Sequence, residues 1–145
     1  MKTRIYQDGK SIRIRVAPDA TPQETCAAQE LGSYLERMTS AAFDAAEADY
    51  DGPVIAIGKA AERYGVSFDG KDDDFLLRSA GENLCIAGGK RGVIYGVYEV
   101  LERLGCRFFT ATCEKVPFVD ELVLEELDEA HSPDFTYREH NYYEP

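Results

Sequence analysis

The chain has 145 residues, 16 of them basic and 27 acidic, for a formal net charge of −11. That length suits one domain with a sizeable core, and 44% hydrophobic with 30% charged residues is the composition of a folded soluble domain. No basic stripe exists to displace counterions from a nucleic acid, no apolar run reaches the roughly 18 residues of a membrane span, and no signal-type apolar core follows Met-Lys-Thr-Arg-Ile-Tyr, so the segment reads as cytoplasmic.

In chain order, Arg4 to Gln7 and Ser11 to Val16 flank Asp8-Gly9, a hairpin signal because both turn residues tolerate positive φ. The second strand alternates, with Ile12, Ile14 and Val16 on one side and Arg13 and Arg15 on the other, which predicts one wet face or a place near a sheet edge. Thr21-Pro22-Gln23-Glu24 is a helix start: Thr as N-cap, Pro at the first helical position and Glu closing a capping box. The helix is predicted to run to Met38, burying Ala27, Leu31, Tyr34, Leu35 and Met38 and leaving Glu30, Glu36 and Arg37 in water.

Thr39 to Gly52 loses periodicity and reads as a loop. Val54 to Ile57 is a short apolar strand suited to burial on both faces. Lys59 to Tyr64 gives a helical turn or two, Asp69 to Asp74 a charged turn, and Phe75 to Ser79 a strand joined through Gly81-Glu82-Asn83 to a strand from Leu84. That strand ends in Gly88-Gly89, after which Val93, Ile94, Val97, Val100, Leu101 and Leu104 fall at helical spacing. Glu99 and Arg103 form an i,i+4 pair, and Gly105 stands where a left-handed C-terminal residue is expected. Cys106 to Phe109 reads as a strand, Thr110 to Pro117 as irregular, and Leu122, Leu124 and Leu127 as a last strand with Glu121, Glu125 and Glu126 outward. The elements predict an α+β domain: a mixed, mostly antiparallel sheet of about five to seven strands with two main helices on one face.

Arg91 to Phe109, Arg-Gly-Val-Ile-Tyr-Gly-Val-Tyr-Glu-Val-Leu-Glu-Arg-Leu-Gly-Cys-Arg-Phe-Phe, resembles the helix of the small α/β domain that precedes the catalytic barrel in several glycoside hydrolases, among them β-hexosaminidases, α-glucuronidases and bacterial relatives. The resemblance takes in Glu24 to Met38, Val54 to Gly58, and Ser-Pro-Asp-Phe-Thr-Tyr-Arg-Glu at Ser132 to Glu139. It implies that residues 1–128 are a non-catalytic accessory domain and that 129–145 are a linker and the start of a following barrel. The barrel and, through it, a carbohydrate are then the expected partners. Phe135, Tyr137, Tyr142 and Tyr143 fit that expectation, because so many aromatic residues leave an apolar patch in water unless another domain covers them. In the β-hexosaminidases a Pro-x-Phe-x-Tyr-Arg segment opens the barrel and its Arg contacts sugar hydroxyls. Pro133, Phe135, Tyr137 and Arg138 match that pattern, which makes Arg138 a sugar-contact candidate, although Glu139-His140-Asn141-Tyr142 departs from it straight afterwards.

Few residues carry chemistry on their own. Gly88-Gly89-Lys90-Arg91-Gly92 lies between strand and helix, where free N–H groups, Lys90 and Arg91 would suit an anion such as a phosphate or uronate, or a sugar. It is neither of the usual nucleotide fingerprints, and the same glycines suit a tight turn that lets the helix approach the sheet. Glu99, Glu102 and Asp72-Asp73-Asp74 read as solvated surface, and no pair of carboxylates is placed for glycoside hydrolysis. His131 and His140 have no nucleophile beside them. Cys26, Cys85, Cys106 and Cys113 lack metal-ligand spacing, and three of them fall in apolar elements as buried thiols would. No catalytic residue, metal or cofactor is expected. The alternatives to an accessory domain are a stand-alone anion or sugar-binding module built on the Gly88 to Gly92 loop and a protein-interaction domain that associates through its aromatic tail.

Overall fold

The computed structural model describes residues 3–108 and 114–132. The strands are β1 (Thr3–Gln7), β2 (Lys10–Ser11), β3 (Arg13–Val16), β4 (Val54–Ile57), β5 (Phe75–Ala80), β6 (Asn83–Gly88), β7 (Arg107–Phe108), β8 (Glu114–Lys115), β9 (Leu122–Leu124) and β10 (Asp128–His131). The helices are α1 (Pro22–Thr39), α2 (Gly92–Arg103) and a 3₁₀ helix at Gly58–Tyr64. The main sheet has five strands in the order β10-β5-β6-β4-β3. β3, β4 and β6 are parallel, and β5 and β10 add antiparallel to them. A three-stranded antiparallel sheet, β2-β1-β9, and the β7-β8 pair complete an α+β fold.

The hairpin at Asp8-Gly9 forms with positive φ at both residues, 54° and 76°, joining Gln7 to Lys10. The strand predicted after it divides at Ile12: β2 stays with β1 while β3 crosses into the main sheet. β3 is an edge strand, but its arginine face is not wet throughout. Arg15 is buried and donates to the Tyr50 carbonyl at 2.7 Å, and the Arg13 guanidinium lies 4.8 Å from the centre of the Tyr50 ring. The loop after α1 finishes this edge through the Ile14 N–H to Asp44 O and Ala46 N–H to Ile14 O bonds.

α1 and α2 lie side by side on one face of the sheet. Leu31, Leu35, Val97 and Leu101 meet Ile14, Ile55, Ile57, Leu77 and Ile86 there in one apolar cluster. Val54, Ala56, Cys85 and Ala87 face the other way, under Ala60, Ala61 and Val66 of the 3₁₀ helix and its exit. β4 is therefore buried on both faces, its four residues all at 0% exposure, as its unbroken apolar run requires. Each such Ile or Val side chain contributes about 1.5–3 kcal/mol of burial.

α1 starts on the expected capping box: Thr21 Oγ1 accepts the Glu24 N–H at 3.1 Å and Glu24 Oε1 accepts the Thr21 N–H at 3.3 Å. α2 ends as its glycine predicts. The Cys106 N–H reaches Leu101 O and the Gly105 N–H reaches Glu102 O, with Gly105 at φ 118°. No described helix is long and apolar enough to cross a membrane.

Two expectations need correction. Asp128 to Pro133 reads as a linker in sequence, yet Asp128–His131 is an edge strand registered on Arg78 to Phe75 of β5. Cys26, expected to be buried, is exposed on α1, whereas Cys85 and Cys106 are buried.

Candidate functional site

β6 delivers Gly88 and α2 begins at Gly92, so the intervening turn sits at the end of the sheet where a helix start could present its N–H groups. Those groups are already engaged. The Gly89 N–H donates to Asp74 O at 3.0 Å, and the Arg91 and Gly92 N–H groups both donate to Asp72 O, at 2.9 and 2.8 Å. The loop before β5 thus puts backbone carbonyls where an anion's oxygens would sit. A Cβ on Gly89 would strike the Lys71 and Asp72 backbone, and one on Gly92 the Asp74 backbone. The glycines are needed for this close approach of two backbones.

The side chains continue the pattern. Arg91 Nε donates to Asp73 Oδ1 at 2.6 Å, and this hydrogen bond holds the guanidinium pKa above its usual value. Asp74 Oδ2 accepts the Lys71 N–H at 2.9 Å and Asp74 Oδ1 accepts the Ser132 hydroxyl at 2.9 Å. Those bonds, the Lys71 one foremost, hold its carboxyl below the ordinary value. Asp72, Asp73 and Asp74, read from sequence as solvated surface, strap the turn to β5. Lys90 is exposed and its side chain makes no ion pair among the described residues. Arg138 lies outside the described residues, so Lys90 and Arg91 are the candidates placed by the fold, at one turn, with only Arg91 paired.

A second cluster, not foreseen from the sequence, fastens β10. Arg103 of α2 holds Glu99 at 3.0 Å and grips both carboxylate oxygens of Glu129, at 2.8 and 2.6 Å. His131 Nε2 lies 2.9 Å from Glu129 Oε1, and the imidazole stacks on Phe75 with centroids 4.7 Å apart and planes at 13°. The Arg103 contact first, and His131 second, draw the Glu129 carboxyl down to about 2. Arg78 adds a bond to Asp128 at 2.9 Å. The sequence shows Glu99 and Arg103 as a helix pair, but nothing local announces Glu129 as the third member. The alternation of Glu129 and His131 on one side of a four-residue stretch was the available signal.

The thiols are structural in setting. Burial pushes Cys85 up to about 11, and Cys106 Sγ lies 3.7 Å from Met38 Sδ. Among the described residues no group of three or more His, Cys, Asp and Glu could hold a metal ion. Chemically, the arrangement positions and fastens, and the charged groups at this end of the sheet are spent on backbone and side-chain partners of the same chain. No family model and no curated protein matches the sequence.

Proposed function

We propose that this chain is a non-catalytic α/β domain that carries and orients a following carbohydrate-active domain, the role implied by its resemblance to the N-terminal domains of glycoside hydrolases. The observation that carries the reading is the fastening of β10. Four cross-strand pairs, a bidentate Arg103–Glu129 bridge and the Ser132–Asp74 bond hold the chain rigid up to the point where Pro133, Phe135, Tyr137 and Arg138 begin. A strand held this firmly sets the position and direction of whatever follows it. Arg138 would be the residue delivered towards a sugar, and the partner is the barrel that continues the same chain.

The engaged N–H groups of the Gly88 to Gly92 turn favour this reading over a stand-alone anion module. Thiols at Cys26, Cys85 and Cys106 fit a reducing, cytoplasmic setting. The test is the coding sequence past the codon for Pro145. A frame that continues for about 250 residues with repeating strand and helix patterns is expected, and a stop codon at that place overturns the proposal. Residues 1–145 alone should turn over no aryl glycoside. Turnover abolished by changing one carboxylate within them would make the domain an enzyme in its own right.

A further inference from the structure

Phe118 is 69% exposed, the large apolar side chain that the described part of the fold leaves in water. It stands on the rim of a groove of about 650 Å³ lined also by Tyr6, Thr39, Asp8, Asp120 and Glu121, a size that accepts one or two large side chains. The walls are fixed. The Val119 N–H donates to Met38 O at 2.8 Å at the end of α1, Gln7 Nε2 donates to Glu121 Oε2 at 2.8 Å, and Asp8 belongs to the tight turn of the first hairpin. Three of the described lining residues are carboxylates and none is a cation. An exposed aromatic anchor inside an acidic rim is complementary to an apolar side chain with positive neighbours.

We propose that this groove docks an extended segment of a partner protein that presents a large apolar side chain flanked by lysine or arginine. A second copy of this chain is a poor occupant. It would bring the same three carboxylates to the contact, on a molecule of net charge −11. The site is also separate from the β10 end of the sheet. α1 returns from the end of β3 to the start of β4, so Thr39 lies at the opposite end of the sheet from Gly88 and His131. The proposal therefore stands whether or not a barrel follows.

The experiment is fluorescence anisotropy with labelled 12-residue peptides: one carrying Phe or Leu between Lys and Arg residues, one with the apolar residue replaced by Ser, and one with the cations replaced by Glu. The first should bind and the other two should bind at least about tenfold more weakly. Affinity for the first should fall as salt rises. Phe118→Ser, at an exposed position whose fold is checked by circular dichroism, should weaken binding by a similar factor. Asp120→Lys with Glu121→Lys should reverse the preference towards the acidic peptide. Absence of binding by the basic peptide at millimolar concentration, or binding untouched by Phe118→Ser, overturns the proposal. Sedimentation velocity on the same proteins covers the remaining occupant: a dimer that Phe118→Ser converts to monomer assigns the groove to a second copy and overturns it too.

Discussion

At the β3 edge of the main sheet the chain is held by burial; at the β10 edge it is held by charge. Ile14 sits in the main core at 6% exposure, its backbone is paired on both sides, and α1 connects it to β4 in a crossover. Asp128 to His131 alternate between exposed and half-buried, and what fixes them is the Arg103, Glu129, His131 and Phe75 group together with the Arg78 bridge. Burial resists salt and pH, whereas exposed ion pairs contribute about 0–1 kcal/mol each and are screened. One edge therefore belongs to the cooperative core, and the other can open without it.

Breaking the buried edge has the largest effect. Ile14→Ala should cost about 2–4 kcal/mol in urea unfolding, with near-UV and far-UV signals lost together. Thr21→Ala, which removes the cap of the helix leaving that edge, should cost about 1 kcal/mol, again globally. Arg103→Ala should cost less than about 1 kcal/mol, but hydrogen exchange should localise the loss, with faster exchange at β10 and an unchanged rate at β4. If β4 exchange rises in step with β10, the two edges are one unit and the contrast fails.

The smallest effect is one of pH. Glu129 has a folded value of about 2 against an ordinary 4.5, so its contribution is complete above pH 4.5 and is lost as pH falls towards 2. Protection of β10 amides should decline over that window in the parent chain, and Glu129→Gln should show weaker protection with no such decline.

Elements that rest on local chemistry were legible in the sequence. Asp8-Gly9, the Thr21 to Glu24 box, the apolar run at Val54 and the Gly105 stop each carry their cause within a few residues, and each appears where expected. β10 was not legible because its cause lies elsewhere. Asp-Glu-Ala-His has neither strand propensity nor an apolar face, and becomes a strand only when Arg103, Arg78 and Phe75 arrive from other elements. The Gly88 to Gly92 turn was half legible. Its glycines announce a close approach, but sequence cannot say whether the approaching oxygen belongs to a ligand or, as here, to Asp72 and Asp74 of the same chain. Cys26 could have been placed correctly, since it shares its helical face with Glu30 and Ser33 and not with Leu31 and Leu35.

Glu24 has a second neighbour beyond the cap it completes. Its carboxylate lies where a side chain at Gly58 would project, and Gly58 has φ 65° at the exit of β4. The first turn of α1 is thus sealed by a residue that arrives only after β4 has joined the sheet. A helix start that could form by itself is instead completed by a distant strand, so nucleation and chain closure reward each other. In kinetic terms, α1, β3 and β4 should gain structure in a single step, with substitutions at Glu24 and Gly58 slowing folding by the same fraction of their cost.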